Sequence, residues 1–317
     1  MAQIGTDIKA AKAWLDKGDL VAIPTETVYG LAGSALDAAA VARIFEVKQR
    51  PHFDPLIVHT HAIETFGRFA DEPSDDLLRL AERFTPGPIT FVLPKKPIIP
   101  DLVTAGMPSV ALRIPDHPLT LDLLQRLNYP LAAPSANPFG FSSPTRASHV
   151  ADQLGDAIPY ILDGGPCRVG VESTIVRDQH GTLEVLRLGG LTLEELEDTL
   201  SKRIPVRTSS SRPQAPGMLT SHYNPGVPVL LGDIPALLET HAQKALGILS
   251  FQTRYAHPNI VHQEVLSASG DTREAARNLF QALRAFHDPA IELILSETVP
   301  DQGLGRAIND RLQRAAK

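Results

Sequence analysis

The sequence lacks most of the features that identify a binding site by composition alone. Cys167 is the only cysteine, which excludes an intrachain disulfide and a cysteine-based metal cluster. There is neither a signal peptide nor an apolar run long enough to span a membrane, so we expect a cytoplasmic protein with no membrane partner. The patterns G-x-x-x-x-G-K-[ST] and G-x-G-x-x-G are both absent. Any nucleotide must therefore be held by side chains rather than by a glycine-rich phosphate loop.

The charge balance also narrows the class of protein. The chain of 317 residues has a formal net charge of −6, which argues against a broad, sequence-independent nucleic-acid surface. A local basic cleft remains compatible with this charge. The hydrophobic fraction of 43% is typical of a globular protein that buries a sizeable core.

Strand-like and helical segments alternate in two parts of the chain, which predicts two α/β units. We expect a larger domain over residues 1–204, with a twisted mixed sheet flanked by helices, and a smaller Rossmann-like domain over residues 227–317. The strands predicted for the first domain are Leu20–Ile23, Leu56–Thr60, Thr90–Leu93, Val110–Ile114, Leu131–Ala133, Tyr160–Leu162, Thr174–Arg177 and Leu183–Leu188. Its predicted helices are Thr6–Lys17, Asp37–Arg50, Ser74–Arg83 and Thr192–Lys202.

The second unit continues the same alternation. Its predicted strands are Val227–Leu231, Leu246–Ser250 and Ile291–Leu295, and its predicted helices are Ile234–Ala242, Thr272–Phe286 and Leu304–Ala316. Residues 205–226 connect the two units and are rich in proline and serine, which is typical of a linker. Met218, His222 and Tyr223 are unusual in a simple spacer.

Two cations stand at the end of the second predicted helix. Val41, Ile44 and Phe45 have the spacing of one buried helical face, and Lys48 is the next member of that series. Its ammonium must either reach solvent or enter a polar cleft. Arg50 follows two residues later, and Pro51 discourages continuation of the helix.

Polar residues stand at the ends of several other predicted strands, where α/β sheets bind ligands. Arg113 and Arg187 lie inside otherwise apolar strands, so each charge needs a partner, either a protein carboxylate or an anionic ligand. His59 ends a buried strand, where a histidine is more often a satisfied core residue than a ligand group. The remaining strand-end candidates are Thr27, Ser135, Asn137 and Ser173.

In this order, the segments closely resemble the YrdC/YciO family of threonylcarbamoyl-AMP synthases, in the long form with a C-terminal domain. The resemblance covers nearly the whole chain. It is carried by residues 24–31, 48–59, 86–93, 113–118, 134–145, 163–176, 187–189, 216–225 and, more loosely, 303–312.

The resemblance implies a nucleotidyltransferase. Such an enzyme would combine L-threonine, bicarbonate or carbon dioxide, and ATP into threonylcarbamoyl-AMP and pyrophosphate, with Mg²⁺ sharing the charge of the triphosphate. The product would supply N6-threonylcarbamoyladenosine in tRNA through a separate transferase, which implies a transient contact with that transferase. Direct tRNA binding and the metal ligands stay open.

Carried over by motif, the resemblance implies two sets of site residues. Lys48 and Arg50 would neutralise the phosphates and act as the catalytic cations. The residues implied for ATP are Lys48, Arg50, Asp54, Ser109, Ser135, Asn137, Ser143, Arg187 and Tyr223. Those implied for L-threonine are Thr27, His59, Arg113, Ser173 and the backbone at Ala133. Arg113 is the expected partner of the threonine carboxylate, and Tyr223 would make the linker an active-site lid.

One position departs from the family pattern, which usually has asparagine where this chain has Asp54. A carboxylate there would repel phosphates unless it faced magnesium or the adenine, so its contact with the nucleotide is in question. Two other functions fit the sequence less well. An RNA-binding or ribosome-maturation module is disfavoured by the acidic net charge and the absence of a basic aromatic platform. A carbamoyl transferase of hydrogenase maturation would carry zinc-finger and acylphosphatase-like regions that this chain lacks.

Overall fold

The computed structural model of the protein describes residues 1–179, 181–207 and 222–317. In these ranges the strands are β1 Gln3–Gly5, β2 Val21–Ile23, β3 Gly30–Ser34, β4 Ile57–His59, β5 Ile89–Pro94, β6 Ser109–Arg113, β7 Leu131–Ala132, β8 Tyr160–Leu162, β9 Thr174–Gln179, β10 Thr182–Arg187, β11 Val229–Leu231, β12 Leu246–Ser250, β13 Ile260–Val265 and β14 Leu293–Ser296. The α-helices are α1 Ile8–Asp16, α2 Ala38–Lys48, α3 Asp75–Phe84, α4 Pro118–Arg126, α5 Ala147–Leu154, α6 Leu193–Leu200, α7 Ile234–Thr240, α8 Thr272–Arg284 and α9 Gly305–Ala315. Residues Ile63–Arg68 form a 3₁₀ helix.

The first domain is built on one large mixed sheet. Within the described residues its strand order is β1-β8-β2-β3-β7-β4-β6-β5-β9-β10. Strand β4 lies parallel to β6 and antiparallel to β7, and β9 forms a hairpin with β10. The predicted mixed sheet is confirmed. Because β4 and β6 run parallel, His59 and Arg113 are paired in register at the same sheet edge.

Helix α2 ends earlier than the sequence predicted. Asp37 caps its N-terminus by accepting a hydrogen bond from the amide of Ala39, as expected. The helix stops at Lys48, because Gln49 adopts a left-handed conformation with φ of 51°. The prediction that the helix includes Arg50 is therefore wrong. The turn at Gln49 directs Arg50 back toward the loop that precedes β4.

Several elements escaped sequence-based prediction because they lack the usual hydrophobic pattern. Strand β3 has the sequence Gly-Leu-Ala-Gly-Ser, and glycine is depleted in strands. A Cβ atom at Gly33 would lie 2.8 Å from Leu20, so close packing at this position requires glycine. The other elements that were missed are β1, β13, α4, α5 and the 3₁₀ helix.

The smaller unit contains a parallel sheet of order β11-β14-β12-β13 in the described residues. The predicted smaller α/β unit is confirmed. Strand β13 was missed because it lies at the sheet edge and is only partly buried. Helix α6 belongs to the first unit by packing, since Leu196, Leu200 and Ile204 lie in its core.

The two units share a packed interface. Val28 and Val171 of the first domain lie in the same apolar cluster as Leu279, Phe280 and Ile308 of the second. The domain limits at residues 204 and 227 stay predictions. The linker predicted over residues 205–226 lies partly outside the described residues.

None of the described helices combines the length and the hydrophobicity needed to cross a bilayer.

Candidate active site

A polar cleft opens where the edge of the large sheet meets the end of the linker. About 500 Å³ of space, part of it open solvent, lies within the cleft. Its lining residues are Val28, Arg50, Ile57, His59, Arg113, Ala133, Pro134, Ser135, Glu172, Arg187, His222 and Tyr223. Seven of the residues implied by the resemblance are therefore brought together here, namely Arg50, His59, Arg113, Ala133, Ser135, Arg187 and Tyr223.

Arg50 is held in the cleft wall by the loop that follows it. Its guanidinium donates from Nε to the carbonyl oxygen of Asp54 at 3.1 Å and from Nη2 to that of Pro55 at 2.9 Å. The same Nη2 lies 2.9 Å from Oδ2 of Asp54. Burial raises the pKa of the Asp54 carboxyl, while the charge of Arg50 acts in the opposite direction. The structure thus gives Asp54 a protein partner, which accounts for a carboxylate this close to a predicted phosphate site.

Lys48 lies behind the cleft wall rather than in its lining. Its side chain is buried, and Nζ donates to the carbonyl oxygens of Ser135 and Asn137, each at 2.5 Å. Burial lowers the pKa of Lys48 well below its usual value, and the charge of Arg50 adds to this effect. An ammonium carries three donors, two of which are engaged here. In this conformation Lys48 pins the segment that carries Ser135 and Asn137, and its predicted contact with phosphates stays a prediction.

Asn137 is not in the cleft lining, and its side-chain nitrogen is held by two hydrogen bonds. Its side-chain amide donates to the carbonyl oxygens of Pro138 at 2.8 Å and Phe141 at 2.9 Å. Ser135 and Ala133 do line the cleft, because the chain turns at Pro134 after β7.

Arg113 is fixed by two residues of the turn between β2 and β3. Its Nη2 atom donates to Oγ1 of Thr27 at 2.8 Å and lies 2.8 Å from Oε1 of Glu26. The hydroxyl of Thr25 stabilises this turn by donating to the carbonyl oxygen of Val28 at 2.7 Å. The predicted need of Arg113 for a partner is met by Glu26, which sequence reasoning missed. The buried Nε of Arg113 has no hydrogen-bond partner among the described residues and remains available to a ligand.

His59 presents a neutral imidazole beside Arg113. Burial lowers the pKa of His59 to about 3, and the charge of Arg113 contributes in the same direction. Its Nδ1 atom is buried and has no hydrogen-bond partner in the part of the chain that the structure describes. A buried polar atom without a partner is costly, so its position in a cleft points to a ligand contact.

Ser173 and Arg187 are joined by hydrogen bonds next to the cleft. Arg187 donates from Nε to the carbonyl oxygen of Ser173 at 3.0 Å and from Nη2 to its hydroxyl at 3.1 Å. The hydroxyl of Ser173 also lies 2.7 Å from that of Thr90. Ser173 is fully buried and does not line the cleft, whereas Arg187 does.

Glu172 also lines the cleft, although sequence reasoning did not select it. Its Oε1 accepts a hydrogen bond from the hydroxyl of Ser143 at 3.0 Å, and its Oε2 accepts from Arg311 of helix α9. Burial alone would raise the pKa of Glu172, but the charges of Arg311 and Arg187 outweigh it and lower the pKa to about 2. Ser143 is fully buried and is not in the cleft lining, and its predicted contact with the nucleotide stays a prediction.

Tyr223 covers one side of the cleft at the end of the linker. Its ring stacks on Phe280 of α8 with 5.2 Å between centroids, and Ser142 donates to its carbonyl oxygen at 3.3 Å. The preceding His222 also lines the cleft, with its pKa lowered to about 3 by burial despite the nearby charge of Glu172. Residues 208–221 of the predicted lid, which include Met218, lie outside the described residues.

Ser109 stands apart from the other predicted residues. It begins strand β6, whereas Arg113 ends it, so the two lie at opposite ends of the strand, about 13 Å apart at the usual rise per residue. It is not in the cleft lining. Its predicted contact with ATP stays a prediction.

The described residues contain no cluster of three or more side chains suited to a metal ion. The carboxylates at or beside the cleft are those of Glu26, Asp54 and Glu172, and each is paired with an arginine. Magnesium would therefore need the phosphate oxygens of a nucleotide and water as its main ligands.

Two family models match the chain. The model for the Sua5, YciO and YrdC proteins, described as telomere recombination, matches residues 13–189, which is more than half of the chain. The chain belongs to the Sua5/YciO/YrdC family. The model described as the C-terminal domain of threonylcarbamoyl-AMP synthase matches residues 191–317 of this family member. The resemblance inferred from the motifs is confirmed.

Relatives of this family member match over nearly their full length. Threonylcarbamoyl-AMP synthase of Pyrococcus abyssi is 40% identical, with 98% of this chain and 94% of that protein covered. The enzyme of the same name from Bacillus subtilis is 36% identical, with 98% and 92% covered. The crystal structure of P. abyssi Sua5 complexed with L-threonine superposes with a TM-score of 0.91 at 39% identity, covering 98% of this chain and 94% of that one.

Proposed function

We propose that this protein is an L-threonylcarbamoyladenylate synthase. It converts L-threonine, bicarbonate or carbon dioxide, and ATP into threonylcarbamoyl-AMP and pyrophosphate, and the product serves the N6-threonylcarbamoyladenosine modification of tRNA. One observation carries the proposal: Arg50, Arg113 and Arg187 converge in one cleft of a chain that resembles enzymes of this name along its full length. Three fixed cations suit a pair of anionic substrates.

The part of the cleft around Arg113 suits threonine. Glu26 and Thr27 hold the guanidinium, and its unpartnered Nε can donate to the amino-acid carboxylate. His59 contributes a neutral nitrogen nearby, which can accept a hydrogen bond from the amine without adding positive charge. A neutral amine is required for the capture of carbon dioxide as a carbamate.

The part of the cleft around Arg50 and Arg187 suits the nucleotide. The carbamate oxygen forms a bond to the α-phosphorus while the bond from that phosphorus to the β-phosphate bridging oxygen breaks, and pyrophosphate departs. Such a displacement depends mainly on positioning and charge neutralisation, which pre-oriented guanidiniums provide. Mg²⁺ enters with ATP as part of the substrate, since the nearby carboxylates are already paired.

Two further elements of the proposal concern the cell. The reaction takes place in the cytoplasm, and the adenylate passes to the separate tRNA transferase through a transient contact. Neither the cellular location nor the contact with the transferase involves a further residue of the cleft.

The decisive experiment measures pyrophosphate release from ATP while L-threonine and bicarbonate are omitted in turn, with mass detection of the adenylate. We expect release only when both are present, together with threonylcarbamoyl-AMP. The variant Arg113→Met should abolish the threonine-dependent release of pyrophosphate, whereas Arg126→Met, which removes an exposed arginine, should not. Release that is indifferent to threonine in the unmodified protein would overturn the proposal and direct attention to RNA binding.

A further inference from the structure

An arginine of the C-terminal domain contacts a carboxylate that lines the cleft of the first domain. Arg311 lies on α9 and is fully buried. Its Nε and Nη2 atoms lie 3.2 Å and 3.1 Å from Oε2 of Glu172, so both donate to the same carboxylate oxygen. A fully desolvated arginine is rare unless its charge is paired, and this pair joins the two domains.

Arg311 makes a second contact with the first domain. Its Nη1 donates to the carbonyl oxygen of Leu188 at 2.6 Å. Leu188 directly follows Arg187 at the end of β10. Arg311 therefore holds both the backbone beside Arg187 and the carboxylate that shares the cleft with it.

The role of the contact between Arg311 and Glu172 follows from the charges in the cleft. Glu172 is the carboxylate in the cleft lining, and Arg187 is close enough to lower the pKa of Glu172. A carboxylate that lacked Arg311 would draw Arg187 toward itself and would repel a triphosphate. With Arg311 in place, Glu172 is satisfied by a guanidinium on one side and by the Ser143 hydroxyl on the other.

We propose that Arg311 is a positioning residue of the nucleotide cleft, which satisfies Glu172 so that Arg187 faces the triphosphate of ATP. The C-terminal domain thus completes a cleft whose lining belongs to the first domain and the linker. The inference deepens the synthase function proposed above and rests on it.

The test compares Arg311→Met, Glu172→Gln and the double variant in steady-state synthesis, with ATP and threonine varied separately. We expect Arg311→Met to raise the KM for ATP about tenfold or more, with a smaller effect on the KM for threonine. Glu172→Gln should relieve most of this defect in the double variant, because it removes the uncompensated charge. Relief by a second substitution separates this role from a purely structural one.

The matched control is Arg306→Met on the same helix. Arg306 pairs with Glu194 across the same domain interface at 3.0 Å and makes no contact with the cleft. Its removal should leave the KM for ATP within about twofold of the unmodified value, as is usual for a partly exposed pair. Equal effects of Arg306→Met and Arg311→Met would overturn the inference, as would a double variant as defective as Arg311→Met.

Direct ATP binding by calorimetry keeps the two proposals distinguishable. A protein that makes threonylcarbamoyl-AMP but has an unchanged Kd for ATP in Arg311→Met retains the proposed function and loses this inference. If the unmodified protein makes no product but binds ATP, the Kd values of the variants for ATP still test the inference. If the unmodified protein does not bind ATP, the inference is overturned. If Arg311→Met does not fold, Arg311→Lys replaces it, because lysine keeps the charge but loses the paired donors to Glu172. The Kd of Arg311→Lys for ATP should then exceed that of the unmodified protein, and an unchanged Kd overturns the inference.

Discussion

Asp54 and Arg50 form a buried ion pair in the cleft wall, with 2.9 Å between Oδ2 and Nη2. The pair is short-range in sequence, and the backbone carbonyls of Asp54 and Pro55 hold the same guanidinium. The carboxylate that departs from the family pattern is thus neutralised by the residue expected to bind phosphate. Arg50 is thus paired with Asp54 of the protein and is also the residue predicted to contact a phosphate of the ligand.

The first prediction concerns this pair. Asp54→Asn should leave synthase activity largely intact, with the KM for ATP changed by no more than about threefold, because two carbonyls still orient Arg50. The free energy of unfolding should fall by about 1–3 kcal/mol, since a buried charge loses its partner. Urea unfolding and ATP titrations check both parts. Asp101→Asn, which removes an exposed partner of Lys95, should change neither. A loss of activity in Asp54→Asn would mean that the carboxylate itself serves catalysis.

The second prediction concerns Glu26. Glu26→Gln should raise the KM for threonine about tenfold while changing the KM for ATP little, because Glu26 orients the guanidinium of Arg113. Initial rates with threonine varied at saturating ATP measure the effect. Glu64→Gln removes an exposed carboxylate and should behave as the unmodified protein. A change confined to kcat would argue that Glu26 acts on the chemistry rather than on binding.

The third prediction concerns pH. Burial lowers the pKa of both His59 and His222 to about 3, so the unfolded chain takes up protons that the folded chain excludes. Stability is therefore full above the unfolded histidine pKa and is lost as the pH falls below it. The low pKa of Glu172 acts in the same direction. At about pH 5 each histidine should cost about 2 kcal/mol of folding free energy relative to neutral pH.

Urea unfolding at neutral and mildly acidic pH measures this loss. His59→Gln should reduce the difference between the two conditions, whereas His61→Gln, at an exposed position two residues later, should not. An equal pH dependence in His59→Gln and the unmodified protein would contradict the assignment of His59 as a neutral, buried imidazole.

The fourth prediction concerns the end of the linker. Tyr223→Ala should raise the KM for ATP, since the ring covers the cleft, and should cost about 3 kcal/mol of stability through the cavity it leaves. Phe280→Ala removes the ring on which Tyr223 stacks and should match the loss of stability with a smaller effect on ATP. Unchanged rate and ATP affinity in Tyr223→Ala would count against a role for this segment as a lid.

Local sequence patterns predicted much of what the structure contains. The alternation of hydrophobic and polar residues identified most strands and helices. The helix predicted from Thr192 begins there, with a capping box between Thr192 and Glu195. These features depend on residues close together in the chain. The sequence-based predictions were wrong or incomplete where a local pattern was absent, as in the glycine-containing strand β3. They were also wrong where one residue left the helical conformation, as Gln49 does at the end of α2.

By itself, the sequence determined the two α/β units, the family and the residue types available to an anionic cleft. Only the tertiary structure decided which oppositely charged side chains form ion pairs. Arg113 finds Glu26 because β4 and β6 pair in parallel and the turn before β3 packs against their ends. Glu172 finds Arg311 across 139 positions because the second domain docks on the first. Such pairs follow from strand order and domain packing, which no short-range spacing in the sequence encodes.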